Sequence, residues 1–206
     1  MARYTGPKGR INRRLQTLIY ENSGASRAFE KRGNQTPGFQ GTRRRSRPSV
    51  YGLALTEKQK IKHYYGLGER QLRRYFDKAT RSKGNTGENL LLLCEQRLDN
   101  VVRRIGLTKT RPQARQGIAH GHFRVNGSKV DKPSFMLRPG DVITVRGKEN
   151  LLKMYHGIRE QGVEGEGIEW VSFDTDTLTA TVNGVPAGSD ISLPVDANTV
   201  VEFLSR

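Results

Sequence analysis

Of the first 90 residues, 21 are Lys or Arg and only 6 are Asp or Glu, a net charge of +15 on less than half the chain. Such a segment repels itself when compact, so it asks for a polyanion or for an extended, solvated path. Residues 91–155 hold 13 basic and 5 acidic residues, whereas residues 156–206 hold 2 and 9. The 206-residue chain is a basic body with an acidic end, and its net +16 points to nucleic acid, an acidic membrane face or an acidic protein. With 34% hydrophobic residues, a core is possible over only part of that length.

Other classes fall away quickly. The longest apolar run, Leu90 to Cys94, is far too short for a membrane span, and Met1 to Lys8 holds no apolar core of a secretory signal. Cys94 is the lone cysteine, which excludes an internal disulfide and a cysteine-based zinc site. Paired carboxylates, a Ser-His-Asp order and a phosphate-cradling Gly-x-x-x-x-Gly-Lys loop are all missing. His120-Gly121-His122 without a supporting cysteine is a weak metal signal. The reading is a soluble, intracellular protein with no cofactor, no metal and no active site.

Residues 1–50 read as a mostly irregular basic arm, broken by Gly, Pro, Asn and Ser and expected to be mobile without a partner. Thr56 with Gln59 fits a capping box that opens a helix ending near Gly66, and a second helix covers about Glu69 to Ala79. Together they make a small helical domain over 51–90. Leu91, Cys94, Leu98, Val101, Val102 and Ile105 recur at helical spacing, predicting one long helix from Glu88 to Ile105 with Cys94 on its packing stripe. Thr110-Arg111-Pro112-Gln113 caps a fourth, short helix. Asn126-Gly127 between Phe123-Val125 and Val130 signals a hairpin, and Pro139-Gly140-Asp141 turns into a strand from Val142. Strands are also expected at 170–173, 178–182 and 199–204, in an acidic β segment (156–206) packed on the preceding domains. The sum is an α+β fold.

Leu93, Arg97-Leu98-Asp99, Thr110-Arg111, Ala114-Arg115-Gln116, His120-Gly121-His122, Val125-Asn126-Gly127 and Gly140-Asp141 together resemble the S-four RNA-binding domain, placed at 91–155. Tyr51-Gly52-Leu53, the Glu69 to Phe76 run, Gly87-Glu88-Asn89-Leu90 and the ending Val200 to Arg206 extend the likeness to the S-four family of bacterial small-subunit ribosomal proteins. That resemblance implies a cytoplasmic, non-enzymatic constituent of the small ribosomal subunit. It implies direct binding to 16S ribosomal RNA, early assembly of the 30S body, contact with proteins S-five and S-twelve bearing on translational accuracy, and in some bacteria binding to its own messenger RNA. Many relatives carry a four-cysteine zinc site near the N-terminus; this chain has no cysteine there, so zinc is not carried over. Residues 176–191 match the family poorly.

Folded RNA offers phosphates and 2′-hydroxyls more than base edges, and Arg suits phosphate through its planar fork. Arg111 and Arg115 are expected as rigid contacts on the capped helix, continued by His120, Arg124, Asn126 and Lys129 along the hairpin. Arg43, Arg44, Arg45 and Arg47 would form an arm threading between RNA helices, and Arg10, Arg13 and Arg14 are further RNA-binding candidates. Lys58, Lys62, Arg70, Arg73 and Arg74 would form a second platform, while Arg97 with Asp99 reads as a structural pair. Two alternatives are weaker. An RNA-modifying enzyme or synthetase fragment needs a catalytic domain, and 51 residues after position 155 are too few. A stand-alone stress protein that binds stalled ribosomal particles leaves the basic N-terminal portion unexplained.

Overall fold

The computed structural model describes residues 4–33, 35–38, 47–162, 165 and 168–205. In chain order the described helices are α1 (Lys8–Leu15), α2 (Ser23–Arg32), α3 (Val50–Tyr64), α4 (Glu69–Arg81), α5 (Thr86–Glu95), α6 (Leu98–Arg104), α7 (Arg111–Ala119), α8 (Glu149–Glu160) and α9 (Ala197–Ser205). The strands are β1 (Phe123–Val125), β2 (Ser128–Lys129), β3 (Val142–Val145), β4 (Val171–Asp174) and β5 (Thr179–Val182). The chain has the expected α+β composition. It divides into two units, Met1–Leu90 with Leu193–Arg206, and Leu91–Ser192.

The first unit is helical. Residues 8–15 and 23–32, expected to be irregular, form α1 and α2, which pack together through Ile11, Leu15 and Ala25. The turn between them is tied by a buried side chain: Asn12 Oδ1 accepts from the amides of Ile19 and Tyr20, and its Nδ2 donates to the Tyr20 carbonyl at 2.9 Å. Gly9 lets the helices approach, because a Cβ there would stand 3.2 Å from that of Ala28. Composition predicts irregularity because so few apolar residues are present, yet those few, Ile11, Leu15, Ile19, Tyr20 and Ala25, are buried together with the Asn12 amide.

α3 begins at Val50 rather than near Thr56. Ser49 is its cap, its Oγ accepting from Gly52 N at 3.1 Å, and Thr56 instead donates back to the Gly52 carbonyl at 2.8 Å. α4 matches its expected span and buries Leu72, Phe76 and Ala79. The strand expected at 199–204 is α9. Asp196 accepts from the amides of Asn198 and Thr199 and so satisfies the first donors of a helix. The β-branched run then loses to packing, with Val200 fully buried and the Phe203 ring 5.3 Å from that of Tyr51 on α3.

The second unit is an antiparallel sheet of order β2-β1-β3-β5-β4, with helices packed against it. Its core gathers Leu98, Val101, Val102, Ile118, Phe123, Val125, Ile143, Leu178, Ala180 and Val182. The predicted 18-residue helix is split into α5 and α6. Gln96 and Arg97 leave helical geometry to pair with the segment at 133–137: Arg97 bridges Met136, and Leu98 N donates to the Phe135 carbonyl. The interruption is invisible to periodicity because Cys94 and Leu98, four apart, stay in register on either side. Cys94 is buried as expected, and burial raises its thiol pKa to about 12. The hairpin turns at Asn126-Gly127, with φ of 50° and 77°, the positive pair that a type I′ turn demands. β4 and β5 extend the same sheet, and α8, which no sequence signal assigned, follows β3 directly.

Candidate nucleic-acid interface

Helical spacing on α4 sends Leu72 and Phe76 inward and leaves Arg70, Arg73 and Arg74 exposed on one face (i, i+3, i+4). Lys78 and Arg81 continue the exposed basic surface. Three guanidinium groups so close repel one another unless an anion lies across them. On α1, Arg10 and Arg14 are exposed four residues apart. Arg13 is used differently, donating to the carbonyls of Gln35 and Thr36 at 3.1 and 3.2 Å. Lys58 is buried; it and Lys62 both grip Glu69, at 2.6 and 3.0 Å. Partial burial works against the Glu69 carboxylate, but the bonds from the two lysines outweigh it and hold its pKa low. The platform expected from these five cations therefore rests on the α4 arginines. Arg47 is exposed; Arg43, Arg44 and Arg45 lie outside the described residues.

Of the arginines singled out on α7 in the second unit, Arg115 is buried and Arg111 is partly exposed. Thr110 caps the helix as expected, its Oγ1 accepting from Gln113 N. Arg111 Nε donates to Asn100 Oδ1 at 2.8 Å, and Arg115, only 8% exposed, pairs with Asp99 at 3.3 Å. Asp99 also takes both arms of Arg97, at 3.0 and 2.6 Å, the structural pair read from the sequence. A second buried set lies beside it. Glu95 accepts from Arg104 at 3.0 Å and from Asn100 Nδ2 at 2.5 Å, and Arg104 also donates to the Asp190 carbonyl. Asn100 thus links Arg111 to Glu95, and α6 and α7 are joined by ions rather than by apolar contact alone.

Two exposed cations of this unit, Arg124 and Lys129, lie on the sheet. Phe123, Val125, Ile143 and Val145 are buried, so the alternate residues Arg124 and Thr144 face outward. Register sets Arg124 opposite Lys129, two like charges side by side, an arrangement that costs stability unless an anion covers it. Asn126 is exposed, but its side chain is committed to the turn: Nδ2 donates to Asp141 at 2.8 Å and Oδ1 accepts from Val142 N. His120 is exposed at the end of α7 and meets Gln116. Partly exposed Arg146 and exposed Lys148 flank Gly147 just past β3; the period-two spacing from Thr144 was the signal that could have found Arg146. Among the described residues, no group of three or more His, Cys, Asp and Glu side chains could hold a metal ion, and no helix is long and apolar enough to cross a membrane.

Comparison with known proteins agrees along the whole chain. Residues 3–95 match the family model of the ribosomal protein S4/S9 N-terminal domain, and residues 96–143 match that of the S4 domain. The small ribosomal subunit protein uS4 of Rhodopirellula baltica is 68% identical over 206 residues, with all of both chains covered. The uS4 proteins of Rubrobacter xylanophilus (46% over 206 residues) and Pseudomonas aeruginosa (44% over 208) are likewise covered end to end. With likeness of this extent, and a cation-bearing helical unit followed by an S4-type unit, the chain belongs to the uS4 family of small ribosomal subunit proteins.

Proposed function

We propose that this small-subunit ribosomal protein binds 16S ribosomal RNA directly, makes and breaks no bond, and nucleates assembly of the 30S body. The observation that carries the reading is the trio Arg70, Arg73 and Arg74, exposed together on a helix whose opposite face is buried. Fixed on a rigid helix, they present a repulsive cationic surface that a phosphate backbone neutralises. Arg10 and Arg14 on α1, with Arg124 and Lys129 on the sheet, add contacts of the same kind. The arm at Arg43, Arg44, Arg45 and Arg47 would thread between RNA helices. Recognition is then by shape and charge, which suits A-form RNA. Neighbouring proteins, S-five and S-twelve among them, would share the subunit surface that bears on translational accuracy, and its own messenger RNA would compete for the same cations.

The test is reconstitution with small-subunit RNA followed by backbone footprinting. Protection of a discrete set of nucleotides, lost together when Arg70, Arg73 and Arg74 become Ala, is the expected result. Unchanged protection by that triple variant, or recovery from cells of transfer RNA without small-subunit RNA, overturns the reading.

A further inference from the structure

The groove beside the hairpin holds more cationic and titratable groups than a bare phosphate contact requires. Its walls are the turn at His120, Gly121 and His122, the end of β3 at Arg146, and Lys148 with Glu149 at the start of α8. Lys129 on β2 lies across Gly121, next to the groove. The single carboxylate, Glu149, is engaged by Lys153 at 2.5 Å. The two imidazoles stand 5.8 Å apart between rings, and His122 Nδ1 meets the Tyr155 hydroxyl of α8 at 2.9 Å.

We infer that this groove seats one phosphate group of bound RNA and that proton uptake by His122 tightens the hold. The inference rests on the RNA-binding reading and adds its regulation. Burial and the neighbouring His120 keep the His122 imidazole neutral to lower pH than usual. Burial keeps the Tyr155 hydroxyl protonated; its bond to His122 Nδ1 runs in the direction set by the tautomer of the neutral ring, and in the protonated ring Nδ1 donates to the tyrosine oxygen. That proton is disfavoured first by burial and then by the neighbouring His120, and Arg146, Lys148 and Lys129 add like charge around the groove. A phosphate among them removes that repulsion. Binding and protonation therefore favour each other, and each proton taken up strengthens binding by at most tenfold per pH unit.

The experiment follows the imidazole resonances of the full chain by proton NMR from pH 8 to 5.5, with and without inorganic phosphate. The chain has four histidines, and His63, in the other unit, serves as the internal control. Phosphate should raise the titration midpoint of His122 and leave that of His63 in place. A His122 midpoint that ignores phosphate, or that moves equally with that of His63, overturns the inference. A second arm measures binding of small-subunit RNA at fixed ionic strength. The wild type should bind about threefold to tenfold tighter at pH 6 than at pH 8, and H122Q should flatten that slope while binding persists at pH 8. An unchanged slope in the folded variant overturns the proton linkage. Loss of all RNA binding by the wild type would refute the RNA reading instead, leaving the phosphate arm to decide the groove.

Discussion

Arginine does opposite work in the two units. Met1–Leu90 with Leu193–Arg206 carries 22 basic and 8 acidic residues, net +14, while Leu91–Ser192 carries 14 and 12, net +2. In the first, Arg10, Arg14, Arg70, Arg73 and Arg74 are exposed on helix faces. In the second, Arg97, Arg104 and Arg115 are 0%, 5% and 8% exposed and each pairs with Glu95 or Asp99. The difference lies in the available carboxylates. A buried guanidinium is tolerable only beside an anion that meets its fork, and Glu95 and Asp99 flank the break between α5 and α6 where such a pair can be enclosed. The first unit has few carboxylates to spend, and Glu69 is already taken by two lysines. Net charge thus identifies a binding surface, whereas paired charge identifies a joint.

The largest test of this contrast is Asp99→Ala. It leaves Arg97 fully enclosed without its anion and should cost about 3–5 kcal/mol in denaturant unfolding; a loss below about 1 kcal/mol would show that the buried pair is no joint at all. Arg115→Ala removes the longest of the three contacts to Asp99, so a stability loss of about 1–3 kcal/mol is expected, larger than its effect on RNA affinity at matched folding. The reverse ranking would return Arg115 to the RNA surface. Arg73→Ala should behave oppositely. It should lose about 1–2 kcal/mol of RNA affinity and about one unit of slope in log affinity against log salt, with no change in the unfolding midpoint.

Smaller effects refine the picture. Thr110→Ala removes the α7 cap and should lower stability by about 1 kcal/mol, visible as faster amide exchange at Gln113. In the first unit, burial, then Lys62 and Arg14, depress the pKa of His63 below 6.5. Its contribution to stability is therefore complete above pH 6.5. It falls as the pH drops from there through the folded value, because the unfolded chain takes up the proton first. Unfolding midpoints measured between pH 7.5 and 5 should decline less in His63→Gln than in the wild type, and parallel curves would remove His63 from the account.

Much of the fold was legible along the chain. Thr110 announced α7, Asn126-Gly127 announced the hairpin, and the α4 stripe separated Leu72 and Phe76 from the arginines that face outward. Each of these depends on neighbours within a few residues. The errors share the opposite property. α9 overrode its β-branched run because Asp196 capped it and α3 covered it, the long helix broke because residues 133–137 claimed the backbone at 96–99, and α1 with α2 formed around a few apolar residues and one buried amide. The bonds of Arg111 to Asn100 and of Arg115 to Asp99 are likewise decided away from α7, since nothing on that helix itself tells an arginine aimed at phosphate from one aimed at Asp99 or Asn100.

The order of residues settled the chemistry: the surplus of cations, the scarcity of a catalytic apparatus, the local turns and caps, and the family likeness. Three-dimensional packing settled which cations remain for a partner. Side-chain charge is carried by each residue wherever it sits, but desolvation and pairing are properties of the space around it, and that space is filled by segments remote along the chain.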